Sequence, residues 1–167
     1  IFNIDIMKKK NTLLLFLCLF SLWAVAQEKK PVKIACVGNS ITYGSGIKNQ
    51  FQNSYPGLLS QLLGEGYDVR NFGISARVLL NKGDHPYMHE QKFRDLLAFQ
   101  PDIVTIKLGT NDSKPWNWRY GKDFKKDLTE MLDILQELPS KPKIYLCLPV
   151  PAVKRNFGIN DSVITNG

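Results

Sequence analysis

The sequence predicts an α/β domain: a parallel sheet between two layers of helices, α/β/α. Two observations predict it. Short apolar runs that end at glycine or proline alternate with longer segments whose apolar residues recur at helical spacing, in the order β-α-β-α-β-α-β across residues 32–148. The runs are also apolar enough to be covered on both faces, as strands of a parallel sheet are. Right-handed crossovers then leave only a few doubly wound strand orders.

The elements follow in chain order. Val32-Lys-Ile-Ala-Cys-Val37 is a short apolar run ending at Gly38, a buried strand by length and flanks. Tyr55 to Leu63 is a helix with Asn53 or Ser54 as N-cap and Pro56 in its first turn; Gly64 and Gly66 end it. Tyr67 to Phe72 is the second strand, closed by Gly73. Glu90 to Phe99 is a helix with Phe93, Leu96 and Leu97 on one face, stopped by Pro101. Ile103 to Leu108 is the third strand, closed by Gly109. Asp123 to Leu138 is the clearest helix, with Phe124, Leu128, Met131, Leu132, Leu135 and Leu138 along one stripe before Pro139. Ile144 to Leu148 is the fourth strand, ended by Pro149. Residues 151–167 carry no strong period, and one more strand and helix are expected after them.

The N-terminal segment reads as a targeting signal. Lys8, Lys9 and Lys10 follow Met7, an apolar run extends from Leu13 to Val25, and small residues stand at Ala24-Val25-Ala26. A basic region, a short apolar region and an A-x-A site make a secretory signal peptide. The run is short and wrongly flanked for a membrane span, and an uncleaved anchor is the alternative. Residues 1–6 precede Met7 and stand with residues 1–26 outside the fold reasoning. Residues 27–167 form one domain, and no stable membrane association is expected after cleavage. The protein is then secreted or periplasmic.

Charge excludes a class of partner. The formal net charge of +7 falls to +5 without residues 1–26, which carry three Lys and one Asp. The basic residues are scattered, without a stripe interleaved with aromatics, so no nucleic-acid partner is expected. Cys36 and Cys147 sit in apolar runs and read as small buried hydrophobes, with a disulfide between them left open. No C-x-x-C or His/Cys cluster suggests a metal.

Chemistry-bearing residues cluster just after the first three strands. These are Gly38-Asn39-Ser40-Ile41-Thr42, Asn71-Phe72-Gly73-Ile74-Ser75 and Gly109-Thr110-Asn111-Asp112. Each alone reads as an ordinary turn. Ligands of open parallel sheets bind outside the carboxyl ends of the strands. Together the loops offer a hydroxyl, a glycine N–H and an uncharged carboxamide donor, the set that acyl transfer needs as charge develops on a carbonyl oxygen.

These three segments, in order and spacing, resemble the first three blocks of GDSL/SGNH hydrolases, and the resemblance covers nearly all of residues 32–150. Gly109-Thr-Asn-Asp-Ser-Lys-Pro-Trp-Asn-Trp118 is similar to bacterial carbohydrate-deacetylating members, including sialate O-acetylesterase-like proteins. The resemblance implies a flavodoxin-like SGNH hydrolase fold and a serine esterase that hydrolyses acyl, above all acetyl, esters on carbohydrate. It implies Ser40 as nucleophile, with the Ser40 N–H, the Gly73 N–H and the Asn111 side chain as the oxyanion hole. It implies no metal or organic cofactor, and an acylated carbohydrate or other small ester as substrate.

Two departures qualify it. Asn39 stands where the family usually has Asp, keeping most hydrogen bonds of the turn without the charge. The family's Asp-x-x-His block, source of the general base and its orienting acid, is expected beyond Gly167. The chain therefore reads as C-terminally truncated, lacking the last strand and helix, and inactive as it stands, since a Ser hydroxyl needs an adjacent base. His85 and His89 read as surface-loop residues or substrate-side contacts, and Asp84 is too close in sequence to orient His85. A non-catalytic glycan-binding pseudoenzyme is the alternative function. A nucleotide binder is disfavoured, because the first loop has neither G-x-G-x-x-G nor a phosphate-cradling lysine. Trp116, Trp118 and Tyr120 either line a sugar-binding rim or pack the top of the third helix. Arg77 reads as a solvated residue or a contact for an anionic substrate, and Asp112 as a structural brace for its loop.

Overall fold

The computed structural model describes residues 30–152 and 157–166; the segment read as a signal peptide lies outside them. Four strands, β1 (Val32–Gly38), β2 (Tyr67–Gly73), β3 (Ile103–Lys107) and β4 (Lys143–Leu146), form one parallel sheet in the order β2-β1-β3-β4. The chain runs outward from β1 to β2, then returns past β1 to β3 and β4. The direction of winding therefore reverses between β1 and β3, and a crevice opens at their carboxyl ends. Register brings those ends level: Gly38 is opposite both Gly73 and Lys107.

Seven helices occur among the described residues: α1 (Ser40–Tyr43), α2 (Gln50–Asn53), α3 (Tyr55–Leu63), α4 (Gln91–Phe99), α5 (Pro115–Trp118), α6 (Phe124–Gln136) and α7 (Asp161–Asn166). Strand alternation divides the contacts between two faces. Ala35, Val37, Val104 and Ile106 pack with Phe93, Leu96 and Phe99 of α4 and Met131 and Leu135 of α6 in one buried cluster. On the opposite face Cys36 and Thr105 meet α3, where the Tyr55 hydroxyl lies 3.1 Å from Thr105 Oγ1. The expected three layers are therefore present. Met131 and Leu135 are fully buried, each stabilising the fold by about 1.5–3 kcal/mol. Tyr87 is also fully buried, and its hydroxyl donates to Phe72 O at 2.6 Å.

Helix ends follow local chemistry. Pro56 lies in the first turn of α3, where its missing N–H costs nothing. Ser54 is the N-cap residue, but its side chain makes no cap bond. Gln100 adopts a left-handed conformation ahead of Pro101 and ends α4.

The fourth strand departs from expectation. It ends at Leu146, although Cys147 N still donates to Ile106 O at 2.8 Å. Among the described residues β4 stands at the edge of the sheet, and Tyr145, Leu146, Cys147 and Leu148 are exposed. Among the described residues Cys36 is buried and Cys147 exposed, and both thiols are free. The third strand stops at Lys107, one residue early, because Gly109 at φ 104° turns the chain. Short helices α1, α2, α5 and α7 span four to six residues, too few for an apolar period to register.

Candidate active site

The first loop is built around two requirements for glycine. A Cβ on Gly38 would overlap Thr42 Oγ1 and lie 2.7 Å from Lys107 O, so only glycine lets α1 fold back on the strand end. A Cβ on Gly73 would overlap Tyr43 N and lie 2.8 Å from Thr42 C, so the same close approach is needed from β2. Between them, Asn39 turns the chain and accepts from Ile41 N at 3.1 Å through Oδ1. The carboxamide thus performs the capping expected when Asn replaces Asp, while its buried Nδ2 has no partner among the described residues. Ser40 follows as the first residue of α1. Its N–H has no intrahelical acceptor, and its half-buried hydroxyl has no partner among the described residues.

The second loop places Gly73 differently from the sequence reading. The Gly73 N–H, expected to face an oxyanion, donates to Asn71 Oδ1 at 2.9 Å. The Asn71 Nδ2 donates onward to Thr42 O at 3.0 Å, tying β2 to α1. Past Gly73, Ile74 N continues the ladder to Gly38 O at 3.0 Å. The next N–H groups, of Ser75 and Ala76, have no acceptor among the described residues. Ala76 holds φ at 67°, the left-handed region that a non-glycine residue occupies at a cost of about 1–2 kcal/mol. Strain of this kind concentrates where a backbone group must be aimed.

The three loops are cross-linked. The Ser45 and Ser75 hydroxyls are 2.6 Å apart, joining loops one and two. Asn111, nearly buried, donates through Nδ2 to Arg77 O at 3.1 Å, joining loops two and three. One Nδ2 hydrogen of Asn111 remains available. Asp112 is fully buried and accepts from Leu79 N at 2.8 Å and Leu80 N at 2.9 Å through Oδ1, and from Gly109 N at 3.1 Å through Oδ2. Burial pushes its carboxyl up to about 6, against the pull of those N–H donors. Asp112 is therefore a structural brace, as the sequence suggested.

Other residues resolve between their alternatives. Arg77 is not a free solvated residue: it pairs with Glu90 at 2.8 Å and donates to Ser75 O at 2.9 Å, clamping the second loop. Trp118 packs on Phe124 with ring centroids 5.9 Å apart. Trp116 is 47% exposed, and its indole N–H is held by Asp84 Oδ2 at 3.0 Å. Asp84 also accepts from Asn117 Nδ2 at 3.0 Å, and Asn117 Nδ2 reaches Asn111 O at 3.0 Å. Trp116 is thus linked through Asp84 and Asn117 to the Asn111 loop. His85 and His89 are exposed, and neither ring bonds Ser40 or Asp84 among the described residues. The roles of Asn71, Ala76 and Asn117 were not foreseen. The sequence signal available was an Asn two residues before Gly73; the other two depend on loop geometry.

Fold and loops together define a doubly wound α/β protein whose site lies on the carboxyl edge of the sheet, with a serine at the first strand-to-helix turn. The chain belongs to the GDSL-like lipase/acylhydrolase family, which matches residues 36–165 and so takes in all three loop segments. It is 48% identical over 158 residues to an acetylxylan esterase of Xylanibacter ruminicola, a match covering 84% of this chain and 33% of that protein. The chain thus spans about a third of the length of this curated relative. Among solved structures it resembles AlinE4, an SGNH-hydrolase family esterase, with 22% identity, a TM-score of 0.57, and coverage of 84% of this chain and 70% of that one. It also resembles a carbohydrate acetylesterase of Sinorhizobium meliloti, with 22% identity, a TM-score of 0.57, and coverage of 72% and 65%. The family expected from the three loops is the family found, and the solved neighbours share its fold.

Proposed function

We propose that this chain carries the nucleophile and oxyanion donors of an exported serine esterase that removes acetyl groups from carbohydrate. One observation carries the reading. Ser40 opens a helix with its hydroxyl and N–H both unpartnered among the described residues, at the level where the loops of Gly73 and Asn111 leave the sheet. Ser40 Oγ attacks the ester carbonyl and yields its proton to a general base. The carbonyl oxygen takes the negative charge and is met by the Ser40 N–H, the free hydrogen of Asn111 Nδ2, and an N–H of the Ser75–Ala76 turn. The sugar hydroxyl leaves with the proton, and water then releases the acyl group from Ser40. Gly73 serves by its missing Cβ, which admits α1, because its own N–H is committed to Asn71. The base is assigned to the family's Asp-x-x-His block, outside the described residues.

Carbohydrate as the acyl carrier is supported by the acetylxylan esterase relative and the carbohydrate acetylesterase neighbour. Export is supported by the basic, apolar and A-x-A segments of residues 7–26. The test compares acetate release from acetylated xylo-oligosaccharides with hydrolysis of a long-chain acyl ester by the full-length protein. Faster acetate release is expected. Preference for the long chain would overturn the carbohydrate reading, and turnover of neither would overturn the esterase reading.

A further inference from the structure

A groove of about 680 Å³ lies beyond the carboxyl end of α1 and plays no part in the chemistry above. We propose that it binds the sugar chain that carries the ester, extending from the residue at Ser40; this rests on the carbohydrate reading of the site. The size falls within the range of about 300–1,000 Å³ typical of small-molecule sites. Its walls include Tyr43, Gln50, Phe51, Gln61, Arg70 and Lys92, and no carboxylate lines it among the described residues.

The chemistry selects a sugar. Phe51 is 95% exposed, projecting from the four-residue helix α2, and Tyr43 beside it is 39% exposed. A pyranose presents an apolar C–H face to such a ring and hydroxyls to its surroundings. Gln50 and Gln61 each give one amide hydrogen to Tyr43 O and Gln52 O, which orients the carboxamides and leaves each amide oxygen to accept from a sugar hydroxyl. An acyl tail in the same place would strip water from both amides and from Lys92 without replacing those bonds. The groove adjoins the first two reacting loops through two residues. Tyr43 ends the helix that Ser40 begins, and Asn71 lines the groove while holding both Thr42 O and the Gly73 N–H.

Titration of the full-length Ser40→Ala protein with xylohexaose tests the proposal. The probe bears no ester, so its binding is independent of hydrolysis, and failure here leaves the acetate-release test to judge the esterase reading separately. Binding is expected, weakened at least tenfold by Phe51→Ala, retained by Phe51→Tyr, and unchanged by Leu62→Ser, an exposed apolar residue outside the groove. Phe51 packs against little, so its variants fold. Absence of hexaose binding, equal binding by Phe51→Ala, or displacement of the hexaose by decanoate would each overturn the proposal.

Discussion

Replacing Asp112 removes the brace that holds the third loop to the segment after the second. Its carboxylate accepts three backbone N–H groups, from Leu79, Leu80 and Gly109, at 2.8, 2.9 and 3.1 Å. In Asp112→Ala these donors lose their acceptor, and each buried unsatisfied group costs about 1–3 kcal/mol. A loss of at least about 3 kcal/mol is expected, a large share of the roughly 5–15 kcal/mol that stabilises a domain. Asp112→Asn keeps the bonds to Oδ1 but sets an NH₂ against the Gly109 N–H, for a loss of about 1–3 kcal/mol. The pH dependence adds a second signature. The carboxyl stands at about 6 in the fold against an ordinary 3.8. The folded state therefore holds the proton more tightly, so this group's contribution is complete below pH 4 and is lost as pH rises through about 6. The difference amounts to about 3 kcal/mol. Urea denaturation of the wild type and the Asn variant, run from pH 4 to pH 7, should show their stability difference narrowing as pH rises. A constant difference across that range, or an Ala variant within 1 kcal/mol of wild type, would refute the reasoning.

Three further changes separate steric from chemical roles. Gly73→Ala places a methyl on the Tyr43 backbone nitrogen, so α1 must shift; turnover of acetyl esters should fall at least about tenfold while the protein remains folded by circular dichroism, and unchanged turnover would refute the close approach. Asn111→Ala removes both the bond to Arg77 O and a proposed oxyanion donor, and kcat should fall about 10²–10³-fold; a rise in KM alone would contradict the donor role. Asn39→Ala removes the cap on Ile41 N and should lower stability by about 1 kcal/mol in a denaturation curve; no loss would mean that the turn is held by other contacts.

The framework was legible in the sequence for clear reasons. Buried strands such as Val32–Gly38 are continuous apolar runs, and the stripe along Phe124–Gln136 must face the sheet, so both leave a periodic trace. Glycines end β1 and β2 where α1 approaches closely, which is why Gly38 and Gly73 marked the site. The cross-links were not legible. Asp112 meets Leu79 and Leu80 across more than thirty residues, and Arg77 finds Glu90 only after the chain has folded. The local partner of the Gly73 N–H was hidden for a related reason: an Asn two residues earlier meets that N–H at 2.9 Å. Cys147 lies on the outer side of β4, where the sequence reading expects one more strand, and is exposed among the described residues.

The central claim is that Ser40 is the nucleophile, and acetate release from acetylated xylo-oligosaccharides by the full-length protein and its Ser40→Ala variant tests it most directly. The account predicts that the variant binds the oligosaccharide, remains folded and loses at least about a thousandfold in kcat. A variant that keeps its rate to within tenfold would contradict it.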